Sequence, residues 1–165
     1  MNTINSPSDI EVDYLKLQTL LASQQWEAAD SETLKVMLQV SRFPDNPDMV
    51  GDVSQFPCEV LQTIDRLWLK HSDGHFGFSA QITIWKSLDG TFESNELVDL
   101  DFFDDVFAPR VGWKKNTKFF NREELDYSLN APKGQLPATW VNSDTIVAAS
   151  GQIYAAWKRL QNCQF

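Results

Sequence analysis

The sequence has few cysteines, no long apolar run and little positive charge. Only two cysteines, Cys58 and Cys163, occur among its 165 residues. Two cysteines so far apart predict neither a disulfide framework nor a zinc knuckle, and they favour a reducing compartment. No stretch approaches the ~20 apolar residues that a transmembrane helix requires. These absences predict a soluble, intracellular protein.

The amino-terminal residues also lack the features of a targeting peptide. They contain no cationic start followed by an apolar run, which a secretory signal requires, and no arginine, which is typical of transit peptides. We therefore expect a cytoplasmic protein without a transmembrane anchor, and peripheral association with a membrane stays open.

Positive charge is scarce overall but concentrated in one segment. The net charge is −9, which disfavours nucleic acid as a partner because binding to its backbone requires a basic surface. Residues 93–105 contain six acids and no base, whereas residues 110–133 contain six bases and three acids. The sequence thus predicts an acidic segment followed by a locally positive one.

Apolar residues recur at helical spacing along most of the chain. This spacing predicts that the first helix has Leu15, Leu17, Leu20 and Leu21 on its apolar side. It also predicts that the acidic helix at 96–107 directs inward Leu97, Leu100, Phe103, Val106 and Phe107. We predict an all-α fold, a compact bundle of about seven to eight helices. Capping boxes are predicted at Ser8–Glu11 and Asn121–Glu124, and Ser143–Asp144 is a predicted cap for the last helix. Ser72, Asp73 and Gly74 are expected to end the third helix before Phe76-Gly77-Phe78 opens the fourth. The main predicted helices cover residues 8–21, 27–40, 57–71, 78–88, 96–107 and 144–160.

The helical pattern stops in two places. Residues 43–55 contain Pro44, Pro47 and Gly51 and are predicted to form a loop. A long loop segment is expected at 108–120, in which Asn116-Thr117 is either the turn of a short hairpin or part of an irregular loop. We divide the chain into a flexible amino terminus at 1–8, one domain at 9–140, and a carboxy-terminal helix at 141–165 packed on that domain.

Patterns that would indicate catalysis or metal binding are weak. Asp104 and Asp105 lie in a segment typical of a solvated helix face, so no catalytic carboxylate pair is predicted. His71 and His75 have the spacing of a helical metal pair, but Gly74 interrupts the helix and no third ligand is near, so no metal site is predicted. Cys58 at a helix start is more often a free buried thiol than a nucleophile. The sequence predicts a protein that is not an enzyme.

Aromatic residues are abundant, at 12% of the chain with six tryptophans. Trp26, Trp68 and Trp85 lie on helical stripes, where core packing explains them. Trp113 instead lies beside Gly112 in the basic, turn-rich segment. There it either packs in the core or covers a flat ring while Lys114 or Lys133 binds a carboxylate.

Five motifs occur in an order that resembles the genomes-uncoupled-four family, the porphyrin-binding regulators of chlorophyll synthesis. The resemblance covers about residues 10–138, and five motifs in order are far more specific than any one alone. The motifs are Trp26-x-x-Ala29-Asp30-x-Glu32-Thr33, Phe56-Pro57-x-x-x-Leu61-x-x-Ile64-Asp65-x-Leu67-Trp68, Gly74-x-Phe76-Gly77-Phe78-Ser79-x-Gln81, Val111-Gly112-Trp113 and Ala131-Pro132-x-Gly134-x-Leu136-Pro137.

The resemblance implies a helical fold shaped like a cupped hand, with a porphyrin held in the cleft beneath a mobile loop from Trp113 to Pro137. It implies a non-catalytic regulator that binds protoporphyrin IX or Mg-protoporphyrin IX, with no protein-bound metal. That regulator stimulates magnesium chelatase through its large subunit, as in cyanobacteria and other photosynthetic organisms. The ligand-binding residues so predicted are Val40, Ile64, Phe76, Phe78, Trp113, Lys114, Lys133 and Leu136.

The sequence departs from the family pattern at several positions. His75 replaces a usual arginine, Gln135 replaces a histidine, and Lys133 stands where relatives carry arginine. Lysine binds a carboxylate as a point charge and lacks the two-pronged fork of arginine, so the ligand clamp is altered. The departures indicate a divergent single-domain member and leave two alternatives. One is a carrier or sensor of linear tetrapyrroles (bilins), and the other is an interaction module whose acidic helix at 96–107 docks a basic partner.

Overall fold

The computed structural model describes residues 11–41, 53–92, 99–139, 141 and 146–163. The prediction of an all-α fold is confirmed, with six helices in these ranges, slightly fewer than predicted. No helix in these ranges has the length and hydropathy of a membrane span. The predicted caps at Ser8 and at Ser143–Asp144, and residues 43–52 of the predicted loop, lie outside them. The helices are α1 (Leu15–Ala22), α2 (Trp26–Val40), α3 (Cys58–His71), α4 (Phe78–Ser87), α5 (Leu100–Phe102, Phe103–Phe107 and Ala108–Arg110 in succession) and α6 (Ile146–Asn162).

Each of the first helices buries one stripe of its surface. In α1 the buried residues are Leu17 and Leu21, whereas Leu15, predicted on the apolar side, is 67% exposed because it begins the helix. Helices α2 and α3 bury residues three or four positions apart, as a helix packed on one side requires. These residues are Trp26, Ala29, Asp30, Thr33, Val36, Met37 and Val40 in α2, and Val60, Leu61, Ile64, Asp65 and Trp68 in α3.

The turn between α3 and α4 forms where the sequence predicts it. Asp73 and Gly74 adopt positive φ values of 53° and 76°, which end α3, and Gly77 precedes α4 with a φ of 133°. Asp65 of α3 then accepts hydrogen bonds from the backbone N–H of Ser79, at 2.8 Å, and from its hydroxyl. A side chain at Gly77 would lie 3.0 Å from the Asp65 carboxylate. Glycine is therefore required for this close approach.

Helix α5 differs from the predicted helix at 96–107 in its register. Its central part, Phe103–Phe107, is π-helical, so residues four or five positions apart share a face. Phe103 and Phe107 are consequently fully buried, whereas Leu100 and Val106 are 38% and 39% exposed. The prediction that Val106 faces the core is wrong for this reason. The same prediction is wrong for Leu100, which begins the helix and is also exposed.

The segment predicted as a long loop at 108–120 is partly regular. The helix continues through Pro109 to Arg110, and a small hairpin follows, with strands β1 (Lys114–Lys115) and β2 (Lys118–Phe119). The strands are antiparallel, and Asn116 takes a φ of 57° in the turn between them. The structure thus selects the hairpin from the two sequence alternatives. The predicted capping box at Asn121–Glu124 is present and begins a short 3₁₀ helix, Arg122–Glu124.

Cys58 and Cys163 form a disulfide, with Cα atoms 5.5 Å apart. The expectation that the two cysteines are unpaired is wrong. Their separation of 105 residues hid the pairing, because only the packing of α6 brings the end of the chain to the start of α3. The same packing places Arg159 Nε 2.8 Å from the carbonyl oxygen of Phe56.

The core contains two groups of packed aromatic rings. The α2–α3 cluster consists of Trp26, Trp68 and Phe76, with ring centroids 5.5–6.2 Å apart. The α4–α6 cluster lies between α4, α5 and α6 and consists of Trp85, Phe92, Phe102, Phe103, Phe107, Trp113, Tyr154 and Trp157.

Candidate ligand-binding segment

Residues 111–138, here called the crossing segment, contain two of the five sequence motifs and run across the α3–α4 turn. Backbone hydrogen bonds join the N–H of Gly77 to Leu136 O at 3.0 Å and the N–H of Gly134 to His75 O at 2.9 Å. The crossing segment therefore packs directly on the residues Phe76-Gly77-Phe78 that sequence reasoning singled out.

Gln81 of α4 fixes the end of the crossing segment from inside the core. Its fully buried side chain donates to Gly134 O and to Pro137 O, both at 3.0 Å. Its side-chain oxygen accepts a hydrogen bond from Trp157 Nε1 at 3.0 Å. Sequence reasoning assigned Gln81 no role, although a polar residue on an apolar helix stripe is a signal for a buried hydrogen-bonding site.

Asp30 and Arg122 form a largely buried ion pair that ties the crossing segment to α2. Arg122 donates to Asp30 Oδ2 from Nη2 at 2.7 Å and from Nε at 3.1 Å, and the Ala138 N–H donates to Oδ1 at 2.7 Å. Burial raises the pKa of Asp30, while Arg122 and the Ala138 amide oppose that rise. Burial by itself would lower the pKa of Arg122, but Asp30 raises it overall. Three N–H groups directed at one carboxylate favour the ionised pair.

Sequence reasoning placed Arg122 only among the bases of the positive segment and missed this pair. The one available signal was Asp30, a charged residue within the helical stripe that α2 buries. Its partner lies 92 residues away, so no spacing rule could identify it.

Trp113 lies in the core of this structure. It is fully buried, its Nε1 donates to Gln135 O at 2.8 Å, and its ring is 5.7 Å from that of Phe107. The sequence left two interpretations of Trp113 open, and in the structure this residue packs in the core. A ligand could reach its ring only if the crossing segment moved away from α5.

The predicted apolar lining residues are also buried, and they do not surround one open cleft among the described residues. Phe76 belongs to the α2–α3 cluster, whereas Trp113 belongs to the α4–α6 cluster. Hydrogen bonds through Gly77 and Gln135 bring the backbones of Phe76, Phe78, Trp113 and Leu136 together, but their side chains face the interior. The relative exposures are 3% for Val40, 0% for Ile64, 0% for Phe76, 1% for Phe78 and 0% for Leu136.

The two predicted cations differ in their surroundings. Lys114 Nζ lies 2.9 Å from Asp105 Oδ1 and 5.0 Å from the ring centroid of Phe119, and only 11% of its side chain is exposed. Lys133 is exposed. Burial raises the pKa of the neighbouring Asp104, and Lys114 opposes that rise. A carboxylate ligand would therefore compete with Asp105 for Lys114, whereas Lys133 is accessible directly.

Gly112 allows the two cation-bearing stretches to lie side by side. Its φ is 79°, and a side chain there would come within 2.9 Å of the ring of Pro132. Residues 112–114 therefore run next to residues 132–133. That Lys114 and Lys133 bind the carboxylates of one ligand stays a prediction.

A separate surface pocket of about 240 Å³ lies between α3, α4 and α6. Small-molecule sites usually enclose about 300–1,000 Å³, so this pocket is too small for a tetrapyrrole. None of the eight predicted ligand-binding residues lines it. Within the described ranges, no three His, Cys, Asp or Glu side chains are placed to hold a metal ion. The pocket is lined by Gln62, Asp65, Arg66, Ser79 and Leu160.

Comparison with known proteins connects this arrangement to one family. A model of the GUN4-like family matches residues 7–151. The ligand-free structure of Arabidopsis thaliana GUN4 superposes with a TM-score of 0.67 at 28% identity, over 88% of this chain and 99% of that chain.

Two curated relatives have similar sequences. The uncharacterized protein ycf53 of Porphyra purpurea is 33% identical, over 79% of this chain and 51% of its own length. The chloroplastic tetrapyrrole-binding protein of Arabidopsis thaliana is 31% identical, over 74% of this chain and 47% of its own length. The chain thus spans about half the length of the curated relatives it matches.

Proposed function

Because this chain belongs to the GUN4-like family, we propose that it is a non-catalytic regulator that binds a tetrapyrrole. The family match carries the proposal, since it spans residues 7–151 and so includes the whole crossing segment. An Arabidopsis thaliana relative is named for tetrapyrrole binding. The proposed ligands are protoporphyrin IX and Mg-protoporphyrin IX, and the proposed partner is the large subunit of magnesium chelatase.

The chemistry of the crossing segment supports this ligand class. A tetrapyrrole is a broad apolar ring system with carboxylates on one edge, so it requires aromatic or aliphatic surface next to cations. Trp113 and Leu136 supply such a surface, and Lys114 and Lys133 supply the charges. Because Trp113 and Leu136 are fully buried here, binding at these residues requires the crossing segment to separate from the core. Lys114 would then exchange Asp105 for a ligand carboxylate.

The test is a titration of protoporphyrin IX, Mg-protoporphyrin IX and biliverdin into the purified protein, followed by tryptophan fluorescence and pigment absorbance. Saturable one-to-one binding of the cyclic ligands, with weaker binding of biliverdin, is the expected result. Preference for biliverdin would instead support the bilin carrier or sensor. The absence of saturable binding of any of the three would overturn the proposal.

Lys133→Ala tests the assigned cation. We expect its affinity for the cyclic ligands to fall about twofold to fivefold, because an exposed ion pair contributes about 0.2–1 kcal/mol. The matched control is Lys70→Ala on α3, which removes a lysine remote from the crossing segment and should leave the affinity unchanged. An equal loss of affinity in both variants would show that the effect comes from net charge and not from a contact of Lys133 with the ligand.

A second function is favoured by one specific feature of α5. Leu100 and Val106 are partly exposed among Asp101, Asp104 and Asp105. An apolar pair surrounded by acids suits a partner segment that is both basic and amphipathic. Val106→Glu should then weaken association with the large subunit of magnesium chelatase without altering pigment affinity. If Val106→Glu changes only pigment affinity, the interaction surface is refuted.

A further inference from the structure

The disulfide joins the first residue of α3 to the residue that follows the last turn of α6. The Cα atoms of Cys58 and Cys163 are 5.5 Å apart, within the usual range of about 4.4–6.8 Å, so the bond forms without displacing either helix. Because the chain has only these two cysteines, no other intramolecular disulfide competes. The bond can therefore open and close between two defined states.

Two hydrogen bonds also join the end of α6 to the start of α3, and we call this contact the junction. Gln62 Nε2 donates to Cys163 O at 3.0 Å, and Arg159 Nε donates to Phe56 O at 2.8 Å. Phe56 precedes α3, at the end of the connection that begins after Val40. The match to the GUN4-like family ends at residue 151. The carboxy-terminal half of this junction, residues 159–163, thus lies beyond the matched span.

The rest of α6 is attached independently of the disulfide. Trp157 donates to Gln81 and packs 4.9 Å from the Phe107 ring, and the Tyr154 hydroxyl donates to Thr91 O at 3.0 Å. These contacts lie six and nine residues before Cys163, about two turns of the helix or slightly more. Opening the disulfide should consequently release the last turn of α6 and the start of α3 while residues 153–157 stay packed.

The two sulfur atoms differ in accessibility, and this difference determines which of them an external thiolate attacks first. Cys58 is half-buried, whereas Cys163 is fully buried. A thiolate of an external dithiol attacks Cys58 Sγ, the disulfide breaks, and Cys163 leaves as a thiolate that takes up a proton. The second thiol of the reductant then attacks the mixed disulfide and releases Cys58. Two electrons and two protons pass to the cysteines, and the dithiol becomes a disulfide. The N-terminus of α3 stabilises the departing Cys58 thiolate.

We propose that Cys58 and Cys163 form a thiol–disulfide switch, reduced by a protein dithiol, that clamps or releases the end of α6 on α3 and on the Phe56 carbonyl. In the disulfide state, the clamp fixes the end of the connection between α2 and α3. In the dithiol state, the bonds from Gln62 and Arg159 and the packing of α6 on residues 53–55 and on α3 retain it without the covalent link. This inference does not depend on the ligand proposed above, because its readouts are thiol state and backbone exchange.

The test is hydrogen exchange by mass spectrometry on the full chain, oxidised or treated with dithiothreitol. We expect exchange of amides in residues 158–163 and 58–62 to become about tenfold faster or more after reduction. Amides of α2 and of residues 153–157 should change less than about twofold. Equal exchange in both states, or two free thiols in the oxidised protein, would overturn the proposal. Acceleration throughout α2 would also overturn it, because it would indicate global destabilisation.

Two variants separate the clamp from a general effect of the reductant. Cys163→Ser should reproduce the reduced exchange pattern without dithiothreitol, and adding the reductant should then have no further effect. Gln62→Leu should leave exchange nearly unchanged in the oxidised protein, because the covalent bond still holds the junction. In the reduced protein, the same variant should increase exchange at residues 160–163 beyond that of reduced wild type. If Gln62→Leu has the same effect in both states, the covalent clamp is refuted.

Discussion

The α2–α3 cluster and the α4–α6 cluster both place tryptophan in the core, but they are assembled from different distances along the chain. The α2–α3 cluster uses Trp26, Trp68 and Phe76, which lie on two helices and the turn that follows them. The α4–α6 cluster draws rings from α4, α5, the crossing segment and α6, as far along the chain as Trp157. Trp26 and Phe76 are 50 residues apart and Trp85 and Trp157 are 72 apart, so both clusters depend on tertiary packing. The second cluster depends in addition on the crossing segment and on α6.

The polar groups around the two clusters differ in the same way. Trp68 Nε1 donates to Thr33 Oγ1 at 3.0 Å, which stays within α2 and α3. In the α4–α6 cluster, Trp113 donates to Gln135, and Trp157 donates to Gln81, which also holds Gly134 and Pro137. The α4–α6 cluster therefore anchors the crossing segment, so changes there should affect the candidate site as well as stability.

Trp85→Ala tests whether the α4–α6 cluster depends on its central ring. Trp85 is 2% exposed and contacts rings of both α5 and α6. We expect the free energy of unfolding to fall by about 3–5 kcal/mol, measured by urea denaturation, because a large buried ring is replaced by a cavity. Leu129→Ala is the control, since Leu129 is 44% exposed and should cost less than about 0.5 kcal/mol. If Trp85→Ala lowers the free energy of unfolding by less than Trp68→Ala does, the α2–α3 cluster contributes more to stability than the α4–α6 cluster.

Gln81→Leu and Thr33→Val compare the polar support of the two clusters directly. Gln81→Leu removes the hydrogen-bond partner of Trp157 Nε1 and of two carbonyl oxygens. Thr33→Val removes the partner of one group, Trp68 Nε1. We expect losses of about 3 kcal/mol for Gln81→Leu and about 1–2 kcal/mol for Thr33→Val, since each unsatisfied buried group costs about 1–3 kcal/mol. Denaturation of both variants in urea gives the comparison. Equal losses would show that the crossing segment adds nothing to the second cluster.

Arg122→Ala tests the ion pair that joins the crossing segment to the α2 side of the core. The variant leaves Asp30 buried without its cation. We expect a loss of about 2–3 kcal/mol, below the about 3–5 kcal/mol of a fully buried pair because 26% of the Arg122 side chain is exposed. Thermal and urea unfolding measure it, with Glu123→Ala as the control. Adding Asp30→Asn to the Arg122→Ala variant removes the unpaired charge and should recover part of the lost stability. If it recovers none, the buried charge is not the cause of the loss.

Asp65→Asn tests the joint between α3 and α4 through its pH dependence. Burial raises the pKa of Asp65 above its ordinary 3.8, although hydrogen bonds from Ser79 oppose the rise. The folded protein therefore holds this proton more tightly than the unfolded chain. The contribution of Asp65 to stability is largest below the unfolded pKa and declines as the pH rises through the folded pKa.

We expect the cost of Asp65→Asn to be greatest in acid and to shrink toward neutral pH. Urea unfolding at a series of pH values measures it. Asp73→Asn is the matched control, because Asp73 is exposed and asparagine tolerates its positive φ. If the cost of Asp65→Asn grows with pH, the pKa of Asp65 is lowered by folding and not raised.

Sequence reasoning performed best where structure depends on neighbouring residues. The end of α3 at Asp73-Gly74, the start of α4 after Gly77 and the capping box at Asn121 all follow from local backbone and capping preferences. It failed at Val106, because helical spacing in the sequence did not indicate the π-helical register of Phe103–Phe107, and at Leu100, which begins the helix. It also missed the ion pair of Asp30 with Arg122, whose partners are distant in sequence.

The candidate site shows the same division. The family motifs include two segments, Val111–Trp113 and Ala131–Pro137, which meet where Gly112 lies beside Pro132. They did not reveal that Trp113 and Leu136 are buried, nor that Lys114 is already paired with Asp105. Burial depends on what the remaining chain places on each side of a residue, and a motif does not contain that information.

The helical class, the turn residues and the family can be predicted from the amino-acid sequence alone, because spacing and glycine or capping chemistry act over a few residues. The Cys58–Cys163 bond, the division of the aromatic residues into two clusters and the hydrogen bonds of Gln81 are visible only in the folded molecule. These features join residues far apart in the chain. Their geometry is specified by the simultaneous packing of several helices, which no local pattern encodes.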